Sequence, residues 1–319
     1  MSKILLTGAS GFVGSHVLPA LVDGGHRVRA LVRTDQACAQ VQRRVASHQR
    51  HAVEFAIADV TRPETLAPAL RDVEAVIHLV AVPRDYNGGK DMMRVNLGGT
   101  RNLLAAMSQA GVPRLVHMGA LGVLDDPRLH FARSKAQAEE EVAASGLDWT
   151  ILKPSVLWGE RDGFFNLIAL LVRISPGIVP VPAGASSRFQ PFWVDDLARV
   201  VVEVLASPAD SVGRRYELGG PAYWTYRQMT EEVIRGMGKR RVILPLPLAL
   251  IKSVARVSEM LRLPFPVASD QLRQLNLDNS TALDAVPAAF GFEPRPMAAN
   301  LGYLRRRVKN QQPSGTLRA

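Results

Sequence analysis

Three glycines near the amino end of this 319-residue chain have the spacing needed to hold a phosphorylated ligand. Gly8 permits a sharp turn after the apolar run 4–6, Gly11 lets the backbone approach a phosphate, and Gly14 lets the following helix pack closely. The amino end of that helix would present N–H groups and a positive dipole to the anion. We therefore predict a dinucleotide pyrophosphate site, with an ordinary strand–turn–helix as the alternative. The predicted ligand-binding residues are Gly8, Ala9, Ser10, Gly11, Phe12, Val13 and Gly14.

Two further residues follow the next predicted strands and suit particular parts of a dinucleotide. Arg33 ends the strand 27–32, where a cation suits a 2′-phosphate on the adenosine ribose and an acidic residue would suit free hydroxyls. This favours NADP(H) over NAD(H), the alternative being a solvated arginine. Asp59 follows a third strand and either accepts a hydrogen bond from adenine, with Val60 covering the ring, or only shapes a turn.

Alternating strand and helix patterns would position these residues. Strands alternating with helices indicate a parallel sheet with helices on both faces, which binds ligands at the carboxyl ends of its strands. We predict strands at 27–32, 53–58, 75–80, 114–118 and 149–152 after the first one, and helices at 37–48, 63–71, 92–110 and 131–145.

The alternation fades after Pro154, where the chain becomes rich in proline. We predict a dinucleotide-binding core over 1–154, and a smaller mixed cap and substrate region over 155–308. Within the latter, a segment at about 189–218 is expected to return to the core, with Asp195 or Asp196 capping a helix. The polar residues 309–319 are predicted to be a disordered tail.

Composition limits the classes of protein that fit. Hydrophobic residues make up 47% of the chain, enough for a sizeable core. The single cysteine, Cys38, excludes an internal disulfide framework and fits a reducing compartment. The sequence shows neither a signal peptide nor an apolar stretch long enough to span a bilayer, so we expect a cytoplasmic location. We find no motif for a metal.

The net charge of +10 raises the question of a nucleic-acid partner. Arginines are spread along the chain, and only 305–307 forms a tight run. Aromatic residues amount to 6%, too few for a platform on which bases stack. We therefore expect no nucleic-acid partner and interpret the charge as a general attraction for anions.

Taken together, the motifs resemble the extended short-chain dehydrogenase/reductase superfamily. The resemblance implies a Rossmann-type α/β fold, a doubly wound parallel sheet with a smaller C-terminal cap region. It also implies that Asn96 helps to order the sheet and the active-site face, with a helix-capping asparagine as the alternative, and that Leu79, Val80 and Ala81 contact the cofactor. The stretches that carry it are TGASGFVG at 7–14, DV at 59–60, VIHL at 76–79 and VNLGGTRNLL at 95–104.

The chain departs from this superfamily where the chemistry would occur. The superfamily uses Tyr-x-x-x-Lys, whose two side chains lie on one helix face, together with a serine or threonine at the end of the fifth strand. Here Phe131 stands in place of the tyrosine, Lys135 is retained to bind the nicotinamide ribose, and Gly119 and Ala120 replace the hydroxyls. The sequence offers His130 or Tyr86 as a substitute proton donor, or both are ordinary loop residues.

The later sequence resembles an atypical branch of the superfamily, which includes the nucleotide-binding accessory subunit of respiratory complex I and its bacterial relatives. Members of this branch often lack the tyrosine, hold NADP(H) in a structural or sensing role, and in some cases are linked to quinone metabolism or to assembly of membrane complexes. The resemblance implies that Pro154, Ser155 and Val156 line the nicotinamide side. The carrying stretches are ILKPSVLWG at 151–159, DGFFN at 162–166, FQPFWVDD at 189–196 and 272–279.

Two functions remain open from the sequence. The first is a non-catalytic or weakly catalytic NADP(H)-binding protein with a respiratory-complex or quinone-related role. The alternative is an active NADP-dependent reductase or epimerase, acting on a carbonyl, quinone or nucleotide sugar with a substituted proton donor. The segment 248–263 has a basic amphipathic helix pattern, which suits a membrane-complex partner, a peripheral contact at the inner face of a membrane, or simple packing on its own core.

Overall fold

The computed structural model divides into two compact units. Unit 1 comprises Met1–Lys153 and Val194–Tyr216, and unit 2 comprises Pro154–Trp193 and Glu217–Ala319. The predicted helix at 248–263, the stretch 272–276 and the predicted tail lie outside the described residues. The residues that the structure describes are 2–85, 87–183, 187–247 and 277–306.

The strands and helices follow the predicted alternation in unit 1. The strands are β1 (Lys3–Thr7), β2 (Arg27–Val32), β3 (Val53–Ile57), β4 (Ala75–His78), β5 (Arg114–Met118), β6 (Asp148–Pro154), β7 (Leu157–Trp158), β8 (Ile178–Ala183), β9 (Phe192–Trp193), β10 (Arg214–Leu218) and β11 (Val242–Pro247). The α-helices are α1 (Gly14–Asp23), α2 (Asp35–Arg44), α3 (Leu66–Ala69), α4 (Lys90–Met92), α5 (Gly99–Ala110), α6 (His130–Ala143), α7 (Phe165–Ile174), α8 (Val194–Ala206), α9 (Pro208–Ser211), α10 (Tyr226–Gly236) and α11 (Ala285–Phe290).

Unit 1 is built on a seven-stranded sheet in the order β10-β6-β5-β4-β1-β2-β3. The pairs of β1 with β2 and with β4 are parallel, as are those of β2 with β3, β4 with β5 and β5 with β6. The strand order reverses between β1 and β4, which is the place where such sheets bind ligands. The predicted doubly wound parallel fold is confirmed.

Some predicted boundaries differ for local reasons. The predicted helix 92–110 is interrupted by the π-helical turn Met93–Gly98, and the predicted helix 63–71 is a 3₁₀ turn, Pro63–Thr65, followed by α3. The predicted capping role of Asp195 or Asp196 is wrong, because α8 already starts at Val194 and both residues lie within its first turn. The Asp195 carboxylate instead meets the His16 imidazole on α1, at 2.6 Å.

The core of unit 1 packs α3 and α5 against one face of the sheet, around leucines and valines such as Leu5, Val76 and Leu115. Unit 2 has its own core, in which Trp158, Phe165 and Val179 are almost fully buried. Within unit 2, β8 pairs with β11 and β7 with β9, both in parallel. No helix within the described ranges combines the length and apolar character needed to cross a bilayer.

Candidate functional site

The glycine turn between β1 and α1 has the geometry that its spacing predicts. Gly8 adopts a φ of +73°, and the Gly11 N–H donates to the Gly8 carbonyl oxygen at 3.0 Å. A Cβ at Gly14 would lie 2.7 Å from the Ala9 Cα and would overlap the Gly8 carbonyl. Only glycine therefore fits at residue 14 without displacing the turn.

This turn meets the end of β4, at the reversal in strand order. A Cβ at Gly8 would lie 3.2 Å from the Leu79 backbone, and the Leu79 N–H donates to the Thr7 hydroxyl at 3.2 Å. Val80 follows and is half-buried, whereas Ala81 is exposed. The structure thus brings together the glycine turn and the residues after β4, which lie far apart in the sequence.

The amino end of α1 suits an anion. Its first turn contains no acidic residue, and in the described chain no side chain caps it. The Phe12 ring packs edge-on against the His16 ring, with 5.5 Å between their centroids. A phosphate at this end would meet backbone N–H groups and the positive end of the helix dipole.

Two arginines border the turn on the side of β2. Arg33 follows β2 directly and is exposed, and Thr34 caps α2 by accepting from the Ala37 N–H at 3.2 Å. Arg44, in the last turn of α2, donates from its guanidinium to the Ser10 carbonyl oxygen at 2.9 Å. Sequence reasoning missed Arg44 because its contact with residue 10 depends on the packing of α2.

Asp59 and Val60 are engaged locally. The Asp59 carboxylate accepts from the N–H and the hydroxyl of Thr61, both at 2.8 Å, which is the turn-shaping alternative stated for it. Val60 is buried, and a Cβ at Gly99 would lie 2.7 Å from its side chain. Its carbonyl accepts from the Asn102 side chain at 2.9 Å.

Asn96 ties the loop after β4 to α6. It lies in the π-helical turn, and its Oδ1 accepts from the Val82 N–H at 2.7 Å. Its Nδ2 donates to the Ser134 hydroxyl at 2.9 Å. With only 1% of its surface exposed, Asn96 joins these two segments from a buried position.

Lys135 is buried beneath the end of β5. Its ammonium donates to the Met118 carbonyl oxygen, and only 3% of the residue is exposed. Burial lowers the pKa of this ammonium to about 8, although the Glu139 carboxylate favours its charged form. Phe131 precedes it by one helical turn and is half-buried. The phenyl ring supplies no proton, so Lys135 is the titratable member of this pair.

A carboxylate fills the space beside Gly119. Glu139 lies one turn beyond Lys135, accepts from the Ala120 N–H at 3.1 Å, and pairs with the Lys153 ammonium at 3.5 Å. A Cβ at Gly119 would lie 2.9 Å from the Glu139 carboxyl carbon and would overlap one of its oxygens. A hydroxyl-bearing side chain at residue 119 is therefore excluded while Glu139 keeps this position.

Two buried histidines adjoin this lysine, and sequence reasoning did not single them out. His78 bridges two hydroxyls, with its Nδ1 at 2.8 Å from Thr7 Oγ1 and its Nε2 at 3.2 Å from Thr100 Oγ1. Burial, with a smaller effect of Lys135, lowers the pKa of His78 to about 3. The His117 ring lies 5.5 Å away, and neither of its nitrogens has a partner among the described residues. Burial lowers the pKa of His117 well below its usual value, so both imidazoles are neutral at pH 7.

The two suggested substitute donors have different outcomes. Tyr86 lies outside the described residues. The His130 ring lies against the turn after β4, because a Cβ at Gly89 would come within 2.5 Å of the His130 Cγ. Gly89 has a φ of +85°, so a residue with a side chain would be strained there as well as obstructed.

The remaining predicted residues, Pro154, Ser155 and Val156, belong to unit 2. The Ser155 hydroxyl donates to the backbone and side-chain oxygens of Asn279 at 2.8 and 2.7 Å, and accepts from the Gln190 N–H at 3.1 Å. The Val156 N–H donates to the same Asn279 side chain at 2.8 Å. These groups join segments of unit 2 that are distant in the sequence.

Comparison with known proteins indicates a dinucleotide-binding protein, as the glycine turn does. The sequence profile of an NAD(P)H-binding family matches residues 8–173. The chain is 31% identical over 238 residues to the "NADH dehydrogenase [ubiquinone] 1 alpha subcomplex subunit 9, mitochondrial" of Arabidopsis thaliana, a match covering 66% of this chain and 58% of that protein. It thus spans somewhat over half of that relative's length.

Two further matches cover nearly the whole chain. The "Photosystem II assembly factor Ycf39" of Synechocystis is 24% identical over 308 residues, 95% of this chain and 89% of that one. The crystal structure of a nucleoside-diphosphate-sugar epimerase from Staphylococcus aureus superposes with a TM-score of 0.73 at 18% identity, over 95% of this chain and 100% of that one. The latter match concerns the fold alone.

Proposed function

Because this chain belongs to the NAD(P)H-binding family, with relatives among atypical short-chain dehydrogenase/reductase-like proteins, we propose that it holds NADP(H) in a structural or sensing role with little or no turnover. We call residues 118–120 and 131–139 the β5–α6 corner. The observation that carries the proposal is the contrast between an intact glycine turn and a β5–α6 corner in which Phe131 stands where a tyrosine would donate the proton. When bound, the dinucleotide would supply a hydride, but a carbonyl substrate also needs a proton at its oxygen.

The corner supports this proposal through three residues. Phe131 carries no acidic proton, and the Glu139 carboxylate obstructs a side chain at Gly119. The Lys135 ammonium already donates to the Met118 carbonyl, and it would orient ribose hydroxyls rather than activate a phenol. The neutral His78 and His117 add no charge to this corner.

The preference for NADP(H) over NAD(H) rests on the arginines beside the turn. Arg33 is exposed at the carboxyl end of β2, where the 2′-phosphate would lie, and Arg44 on α2 adds a second positive charge next to Ser10. A planar guanidinium group can donate two parallel hydrogen bonds to two oxygens of one phosphate. An uncharged ribose hydroxyl would bind to it much more weakly.

The role we propose is in a respiratory or quinone-related assembly, at the cytoplasmic face of a membrane. Its support is that two relatives are named for membrane complexes, one as a complex I subunit and the other as a photosystem II assembly factor. A soluble-type fold that binds a dinucleotide can serve such an assembly as a structural subunit or as a sensor of the NADP(H) pool.

The alternative is an active reductase or epimerase with another proton donor. The buried Lys135 favours it, because an ammonium with a pKa of about 8 exchanges protons near neutral pH. His130 is the second candidate, from its place against the turn after β4. Both would have to reach the oxygen of a substrate bound beside the nicotinamide.

Identification of the copurifying nucleotide, followed by single-turnover oxidation, tests both functions. We expect bound NADPH or NADP, tight NADPH binding in titration, and no oxidation with ketones, quinones or nucleotide sugars. Turnover that disappears in Lys135→Met or His130→Ala, with NADPH binding retained, would favour the alternative. Failure to bind either dinucleotide would contradict both.

A further inference from the structure

Unit 2 exposes a continuous apolar surface on its small sheet. In β8, Val179 and Val181 are each 1% exposed and face the core. Ile178 faces outward and is 52% exposed. In β11, Val242 and Leu244 are 67% and 44% exposed. The register places Ile178 beside Val242, Pro180 beside Leu244 and Pro182 beside Leu246. Every residue of this outer face is therefore apolar.

The end of α7 lies beside this sheet and exposes two more apolar side chains. Leu170 and Ile174, one helical turn apart, are 44% and 63% exposed. The Val242 N–H donates to the Gly177 carbonyl at 2.8 Å, and Arg241 Nε donates to the Val172 carbonyl at 3.4 Å, so β11 begins beside the end of α7. We call Leu170, Ile174, Ile178, Val242 and Leu244 the apolar face.

Such a face is unusual for a sheet in contact with water. A sheet packed on one side normally alternates apolar residues inward with polar residues outward. An exposed apolar surface of this kind marks a place where something else binds. The occupant is not an added strand, because Pro180 and Pro182 in β8, with Pro245 and Pro247 in β11, remove the N–H groups that edge pairing needs.

The charge around the apolar face indicates the class of partner. The sequence contains no aspartate or glutamate in 163–194 or in 233–258, the two stretches that include this face. The same stretches carry eight lysines and arginines, among them the exposed Lys239 and Arg240 directly before β11. Apolar side chains within stretches whose only charged residues are cations suit the interface of a bilayer that contains acidic lipids.

We propose that the apolar face lies on an anionic lipid bilayer. Val242, Leu244 and Ile178 enter the boundary between headgroups and acyl chains, while Lys239 and Arg240 meet lipid phosphates. The proposal locates the membrane contact of the proposed function and rests on that function only for its setting.

Sedimentation with vesicles tests this proposal on the chain of 319 residues. We expect binding to vesicles of phosphatidylcholine and phosphatidylglycerol in equal parts, none to phosphatidylcholine alone, and weakening by salt. Lys239→Gln combined with Arg240→Gln should weaken binding roughly 25-fold, from about fivefold per cation. Val242→Asp with Leu244→Asp should abolish it, and Leu283→Asp, at an equally exposed leucine of unit 2, should leave it unchanged.

NADPH titration and light scattering on the same proteins separate the outcomes. All the variants should bind NADPH as the parent does. If the parent binds vesicles but not NADPH, only the proposed function is contradicted. Absence of vesicle binding by the parent overturns the lipid proposal. So does a parent dimer that Val242→Asp with Leu244→Asp makes monomeric, since the face then binds a second copy. Capture by a detergent-solubilised membrane complex without any vesicle binding overturns it as well, in favour of a protein partner.

Discussion

The glycine turn and the β5–α6 corner, both in unit 1, differ in how far their residues keep to the pattern of a working dehydrogenase. At the turn, backbone geometry demands glycine at residue 14, and the approach to Leu79 leaves little room at residue 8. At the corner, Phe131 has no proton to donate and Glu139 obstructs residue 119. Holding a dinucleotide and using it depend on separate sets of residues, so one can persist without the other.

The largest expected effect comes from adding a side chain to the turn. Gly14→Ala should destabilise the protein by about 3 kcal/mol and abolish NADPH binding, because the new Cβ overlaps the Gly8 carbonyl. Gly163→Ala is the control, since a Cβ there meets nothing within 4 Å, and it should change neither quantity. Chemical denaturation and NADPH titration provide the measurements. Unchanged NADPH affinity in Gly14→Ala would mean that the turn is not the binding site.

Removing the buried ammonium of Lys135 should change the free energy of unfolding by a similar amount, in a way that depends on pH. Burial lowers the pKa of Lys135 from 10.5 to about 8 in the folded protein. Between pH 8 and pH 10.5 the unfolded chain therefore binds one more proton than the folded protein, and the free energy of unfolding rises with pH. The difference in unfolding free energy between the parent and Lys135→Met should shift by about 3 kcal/mol over this range. Lys239→Met, at an exposed lysine, should keep the parent's pH dependence. A Lys135→Met protein with the same pH dependence would contradict the burial of this charge.

Phe131→Tyr tests the corner by restoring a phenol. If the missing donor is the main obstacle, NADPH oxidation with carbonyl substrates should rise by about 100-fold, the lower end of what a positioned acid contributes. Phe164→Tyr, in unit 2, is the control and should give no gain. Stopped-flow absorbance at the NADPH band measures the rate. No gain despite intact NADPH binding would place the main obstacle elsewhere, with Gly119 and Glu139 as the next candidates.

The smallest expected effect concerns the choice between the two dinucleotides. Arg33→Ala should weaken NADPH binding about tenfold and leave NADH binding unchanged, because only the 2′-phosphate uses this guanidinium. Arg27→Ala, at the other end of β2 and equally exposed, is the matched control. Competition titrations with the two dinucleotides give the ratio. An equal loss for both would show that Arg33 supports α2 or the turn instead of selecting the cofactor.

Local sequence rules predicted the turn, the sheet and the positions of Phe131 and Lys135 in the β5–α6 corner, but not the contacts of Glu139 there. Gly8, Gly11 and Gly14 were predictable because the backbone of one short segment, residues 7–14, requires a glycine at each of them. The central strands β1, β4 and β5 were predictable because both their faces are buried, which gives continuous apolar runs. In contrast, the contacts of Glu139 with Ala120 and of Arg44 with Ser10 join residues 19 and 34 positions apart, and only the packed fold defines them.

The π-helical turn at Met93–Gly98 shows the same limit. The periodicity of 92–110 suits one continuous helix, but Asn96 in that turn bonds to both Val82 and Ser134. Those partners lie on other elements, so no property of the local sequence marks the interruption. Asp59 illustrates the opposite case, because its turn with Thr61 was among the two alternatives that the sequence offered.

The carboxylate beside Gly119 affects how a hydroxyl could be introduced at the end of β5. A serine at residue 119 would meet the Glu139 carboxylate, which would have to move away from the Ala120 N–H and the Lys153 ammonium. Removing Glu139 first leaves the Lys153 ammonium without this ion-pair partner and the Ala120 N–H without its acceptor. Each single change therefore disturbs contacts that this carboxylate makes in the folded protein, so a hydroxyl-bearing variant at residue 119 is best made together with a change at Glu139.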